Sequence, residues 1–354
     1  MPARMWLTFW RASLCATHKG REMVESMFII TVIVLLALSF DFINGFHDTA
    51  NTIATSISTK ALPPRIAILL SAFMNLLGAL AFTGVAKTIG GKIADPLKLE
   101  HGVVIVAAAL IAAIAWNLIT WYFGIPSSSS HALIGSLAGA VIAAEGLRAV
   151  NFSGFLTILE ALIISPLVAF TVGYIIMNLI AAIFRNFNPG KVNRNFRTMQ
   201  IFTAAWQAFS HGTNDAQKSM GIITFALVAG GFQTTLDVPD WVKALCALAM
   251  ALGTSVGGWR IIKTIGTRII KLEPASGFAS DFSSALIIIM ATLFKLPVST
   301  THVISSSIMG VGSAKRLSSV RWTTAQQMVV AWLITLPITA IFASLTYLLV
   351  SVFF

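Results

Sequence analysis

The chain has 354 residues, 56% hydrophobic and only 10% charged, well under the roughly 25% charged residues of soluble domains, which excludes a soluble globular protein. Its formal charge of +11 is carried by short connectors between apolar runs, the pattern of cytoplasmic loops, and this argues against nucleic acid as a partner. Cys15 and Cys246 share no metal-ligand or redox spacing, so neither a disulfide framework nor a metal site follows from them.

Residues 1–26 carry Arg4, Arg11, Lys19 and Arg21 around a weak apolar patch. They lack the apolar region and cleavage site of a signal peptide. They are expected to be a disordered basic tail, or to precede a true start at Met23 or Met27. Residues 27–44 form a long apolar helix that runs into Asn44-Gly45-Phe46-His47-Asp48-Thr49-Ala50-Asn51. Gly45 is expected to break that helix, leaving backbone carbonyls free at membrane depth where a cavity must line them. Pro63-Pro64-Arg65 turns the chain into a second span over 66–86, which contains Asn75, and a connector runs from Lys87 to Pro96.

A third span over 103–123 meets Ile125-Pro126-Ser127-Ser128-Ser129-Ser130-His131, after which apolar helix resumes with Gly135 and Gly139 on one face. The span over 156–184 is interrupted by Pro166. A loop over 185–198 holds Arg185, Lys191, Arg194 and Arg197 without an acid, and reads as a cytoplasmic midpoint.

Beyond it the order recurs. His211-Gly212-Thr213-Asn214-Asp215-Ala216-Gln217-Lys218 answers the first Asp motif, Lys263-Thr264-Ile265-Gly266 answers Lys87-Thr88-Ile89-Gly90, and Leu296-Pro297-Val298-Ser299-Thr300-Thr301-His302 answers the first Ser run. Three motif pairs in one order, about 167 to 176 residues apart, indicate an internal duplication. Connector charge alternates between the halves: Lys60 and Arg65 are matched by Asp237 and Asp240, and the basic loop with Lys315, Arg316 and Arg321 faces a nearly neutral partner. Opposite orientation of the halves follows. The expected fold is an all-α polytopic membrane protein of about 10–12 membrane segments. It comprises two inverted-topology repeats, 27–184 and 199–354, with broken helices and re-entrant helical hairpins.

Inverted repeats of broken helices place a binding site near the bilayer midplane. The hydroxyls of Ser127, Ser128, Ser129, Ser130, Ser299, Thr300 and Thr301 sit where helices begin, and free N–H groups there suit a tetrahedral oxyanion. Helix capping is the plain alternative for each run. Asp48 and Asp215, with Asn44, Asn51 and Asn214, suit a cation or proton, and His47, His131, His211 and His302 change charge near neutral pH. Lys218 stands in the slot of Asn51 and either pairs with Asp215 or reaches substrate. Asn75, Asn117, Asp41 and Asp281 read more readily as interhelical hydrogen-bonding groups. The duplicated clusters show no single activated nucleophile with its base, which disfavours an intramembrane serine hydrolase. Acids and anion-binding turns together disfavour an anion channel.

At these motifs the sequence resembles the inorganic phosphate transporter (PiT) family, in its shorter bacterial members, from about Phe28 to the C-terminus. The resemblance implies a non-enzymatic secondary transporter without cofactor, multi-pass in the bacterial cell membrane and homodimeric in the lipid bilayer. It implies inorganic phosphate held at the two Ser/Thr turns, with Asn51 and Lys218 beside it. Coupling cations are implied near the Asp motifs, with Asn75 on the following helix. Sodium-coupled relatives carry Ala-Asn-Asp-Val-Ala-Asn in the first motif and a Glu about where Asn75 stands. The His47-Asp48 form is similar to the branch that uses protons and accepts a neutral divalent metal–phosphate complex. Proton-coupled phosphate symport is therefore the expectation, and sodium coupling the alternative.

Overall fold

The computed structural model describes residues 3–352, with side chains from 27 onward except that of Thr49. Among the described residues the secondary structure is helical throughout: α1 (Ala3–Ser58), α2 (Pro64–Ala81), α3 (Gly84–Lys92), α4 (Gly102–Phe123), α5 (Ser129–Glu145) and α6 (Phe152–Phe184), then α7 (Pro189–Ala229), α8 (Asp240–Val256), α9 (Trp259–Arg268), α10 (Pro274–Leu293), α11 (Thr300–Lys315) and α12 (Trp322–Val350). One 3-10 turn follows α5 (Leu147–Ala149) and another follows α11 (Leu317–Ser319). Six of these helices contain a stretch long and apolar enough to cross a bilayer alone, and α8 with α9, bent by 70° at their junction, makes a seventh candidate. The protein is a multi-pass membrane protein.

Local sequence explains where the helices stop. α4 ends at Gly124, whose φ of +66° suits glycine, and Pro126 prevents its resumption. Ser128 then accepts from the backbone N–H of His131 and starts α5. Ser299 does the same for His302 and α11. α6 and α12 turn large apolar side chains outward, among them Ile163, Leu167, Ile183, Leu333, Leu345 and Leu349. Such a surface is unsuited to water and suits lipid.

Packing exchanges partners across the chain: α5 packs on α12 and α11 on α6, while α1 packs on α8 and α7 on α2. The apolar interior has two main clusters, and α1 joins them. Phe40 belongs to one, Ala50 and Ile53 to the other. Asp41, Asn44, His47 and Asp48 lie between and are fully buried.

Several expectations need correction. Gly45 does not break α1; α1 runs straight through its Asp motif, as α7 does through the second. Gly45 and Gly212 instead allow backbones to meet. A Cβ at Gly45 would fall 2.5 Å from Met250 O on α8, and one at Gly212 would collide with the backbone of Asn75 on α2. No carbonyls are therefore freed beside the acids, and the breaks lie at the Ser/Thr turns. α6 also continues through Pro166. The second span ends at Ala81, and the Lys87 and Lys263 motifs form helices α3 and α9 rather than connectors. α7 starts at Pro189, so Lys191, Arg194 and Arg197 ride its first turns rather than a loop. The backbone of α1 is helical from Ala3, and the side chains of the expected tail lie outside the described residues.

Candidate functional site

Each Ser/Thr turn divides its hydroxyls between structure and site. Ser128 and Ser299 cap their helices. Ser127 donates to Thr120 Oγ1 of α4 at 2.8 Å, and Ser130 donates to the carbonyl of Val298 at 2.9 Å, which ties the two turns together. The next pair faces α1: Ser129 donates to Asp48 Oδ2 at 2.6 Å and Thr301 to Asp48 Oδ1 at 3.0 Å. Asp48 therefore holds the starts of α5 and α11 at once. Thr300 Oγ1 is buried with no hydrogen-bond partner among the described residues.

His47 Nδ1 lies 2.8 Å from Asp48 Oδ1, and its Nε2 lies 3.1 Å from Thr120 Oγ1. Asn214, in the corresponding slot of α7, binds Thr292 Oγ1, Leu296 O and the Val298 N–H. Each of these residues therefore anchors one Ser/Thr turn. Asn51 donates to Thr301 Oγ1 at 2.7 Å.

Asp215 is held differently. Lys218 Nζ lies 2.8 Å from Oδ1, Asn44 Nδ2 donates to Oδ2 at 3.1 Å, and His211 Nε2 is 3.4 Å from Oδ2. His211 Nδ1 in turn contacts Asn75 Oδ1 at 3.0 Å, and Asn75 donates to Thr254 of α8. Lys218 also reaches Ser129 Oγ at 3.3 Å. A continuous polar chain thus joins the acids: Asp215, Lys218, Ser129, Asp48. Ligand atoms of Asp48, His211 and Asp215 lie within 4.8 Å of one another, all buried. This is one charge cluster, and every carboxylate oxygen in it already faces a side-chain donor.

Of the expected residues, Asn44, His47, Asp48, Asn51, Asn75, Ser129, His211, Asp215, Lys218 and Thr301 meet in this cluster. His131 and His302 do not reach the carboxylates. Their rings pack on each other with centroids 4.5 Å apart, His302 stacks on Trp332 at 4.0 Å, and both line a mainly apolar cavity of about 570 Å³ between α6 and α12. His131 Nδ1 instead contacts the capping Ser128 Oγ at 2.8 Å.

Sequence reasoning missed Thr120, because a lone Thr in the apolar α4 gives no signal beyond its position one turn before Gly124. Asp281, read as an interhelical hydrogen-bonding group, accepts from Thr55 of α1 at 2.6 Å and from Gln200 Nε2 of α7 at 3.1 Å. Asp41 is fully buried with Ser219 and Cys246 facing it.

Known proteins resemble this chain in sequence and fold. The phosphate transporter family model matches residues 44–191 and 185–343. A probable low-affinity inorganic phosphate transporter of Bacillus subtilis is 57% identical over 333 residues, covering 94% of this chain and 100% of its own length. One of the same description from Rhizobium meliloti is 43% identical, covering 90% and 96%. A solved structure described as the sodium-dependent phosphate transporter superposes with a TM-score of 0.86 at 25% identity, covering 92% of this chain and all of that one. With the family match spanning both Asp motifs and both Ser/Thr turns, this chain is a member of the phosphate transporter family.

Proposed function

We propose that the protein imports inorganic phosphate by proton-coupled symport with alternating access, and that the oxyanion and Asp48 compete for the same hydroxyls. The observation that carries this reading is the pair of bonds from Ser129 and Thr301 to the two oxygens of Asp48. These are the hydroxyls at the starts of α5 and α11, where free backbone N–H groups favour an anion. An ionised Asp48 keeps both donors and repels phosphate. A proton on Asp48 weakens its demand for donors, and both hydroxyls turn to the incoming oxygens.

Charge balance calls for a cation to enter with the phosphate. The cluster holds two carboxylates against one ammonium, all buried, and adding an anion to it without a cation is costly in low dielectric. His47, in contact with Asp48 and with Thr120, is placed to pass the proton while holding the α4–α5 turn. The duplicated motif order and the exchanged packing of α5 with α12 and α11 with α6 support two inverted repeats that rock about this site. A neutral metal–phosphate complex would bring less charge to the cluster and enters by the same logic.

Sodium coupling is the second reading, favoured by the structural likeness to a sodium-dependent transporter. Purified protein in liposomes decides between them when pH and sodium gradients are imposed separately. Phosphate accumulation should follow the pH gradient with choline in place of sodium. Accumulation that follows sodium and ignores pH would establish the second reading.

A further inference from the structure

The two Asp motifs differ most at the residue three positions after the acid. In α1 that residue is Asn51, and in α7 it is Lys218. Asn51 brings no charge and binds Thr301 of the α11 start. Lys218 is 1% exposed, and its ammonium lies 2.8 Å from Asp215 Oδ1 and 3.3 Å from Ser129 Oγ at the α5 start. A buried ammonium is stable only when paired, and one turn of helix places it on Asp215.

The donors are divided accordingly. Both site-facing hydroxyls, one from each turn, go to Asp48, and none goes to Asp215. Asp215 is balanced by Lys218, with Asn44 and His211 on its other oxygen. We infer that Lys218 is a tethered cation that fills the cation position of Asp215, so that only the Asp48 half of the site takes a mobile coupling ion. Lys218 then determines ion specificity. It bars sodium from the second acid by occupying its coordinating oxygen with a point charge, and it presents that charge to the oxyanion held at Ser129. The inference rests on the proton-coupled reading for what the Asp48 half binds, but its own content is the difference between the two halves.

Lys218→Asn gives both motifs the same side chain at this slot and removes the tethered charge. The full-length variant and wild type, reconstituted in liposomes, are compared for inorganic phosphate binding and uptake in sodium chloride and in choline chloride at one pH. In the variant, sodium should strengthen phosphate binding on the order of tenfold, within the usual range of coupling between two ligands (about 5–150-fold), while wild type and Lys218→Arg respond little. Thermal stability in detergent gives a second readout independent of transport. Sodium over choline should raise the melting temperature of the variant more than that of wild type. An equal sodium response in wild type and variant by both readouts, including none in either, overturns the inference. If wild-type uptake itself follows sodium and ignores pH, the proton reading fails, and the difference between wild type and variant still decides the role of Lys218.

Discussion

Ser129 Oγ has one proton, and it goes to Asp48 Oδ2 at 2.6 Å while Lys218 Nζ donates to Ser129 Oγ at 3.3 Å. That economy makes single substitutions informative. A hydrogen bond to a charged group contributes about 1.5–3 kcal/mol, so Ser129→Ala and Thr301→Ala should each weaken phosphate binding roughly 10- to 150-fold. The KM for uptake in proteoliposomes measures this, and an unchanged KM would remove that hydroxyl from the site. Asp48→Asn imitates the protonated acid permanently. It should retain phosphate exchange across the membrane but lose accumulation against a gradient; accumulation at the wild-type level would remove Asp48 from coupling. The sequence made these acids visible because a carboxylate in an apolar run is conspicuous. It could not separate Ser127, Ser128, Ser129 and Ser130, which differ only in rotation about the turn and helix start. One caps, two brace the turns, and one meets Asp48.

At the level of elements, the same comparison separates capping from binding. Ser128→Ala and Ser299→Ala remove caps and should cost about 0.5–2 kcal/mol of stability, lowering the melting temperature in detergent while the KM for phosphate uptake stays at the wild-type value. A changed KM would show that these hydroxyls also touch substrate. Gly45→Ala and Gly212→Ala press a methyl group into the backbones of α8 and α2. Overpacking of this kind costs about 1–3 kcal/mol, again read as a lower melting temperature; unchanged stability would refute the close-approach role. The Gly212 change carries a functional consequence as well, since the backbone it strikes is that of Asn75, the partner of His211. From sequence alone a glycine inside a helix signals either a break or a contact, and only the neighbouring helix decides. The Ser/Thr turns were readable as breaks because proline and a capping serine stand together there. Asp281 was visible as an interhelical group, but its partners Thr55 and Gln200 were hidden, because they lie far apart in the chain and belong to no motif.

Across the whole molecule, the duplicated order of motifs is what makes one site from residues in both halves. α1 supplies Asp48, α5 and α11 supply its two hydroxyls, and α7 supplies Asp215 and Lys218. The site lies along α1 between its contributions to the two apolar clusters, with Asn75 of α2 and Thr120 of α4 also reaching it. Exposed pairs at the periphery matter less. Lys87 on α3 pairs with Asp237 before α8 and holds that carboxyl below its ordinary value. Its support is present above the ordinary Asp range and fades as pH falls through the lowered value. Because the pair is exposed it is screened, and Lys87→Ala should leave uptake unchanged. On this reading phosphate enters only when a proton neutralises Asp48. The most direct test is proton flux in proteoliposomes held at equal pH on both sides, with phosphate supplied outside and sodium absent. Proton entry should accompany phosphate uptake in fixed proportion and be lost in Asp48→Asn. Phosphate accumulation without accompanying proton entry would contradict that reading.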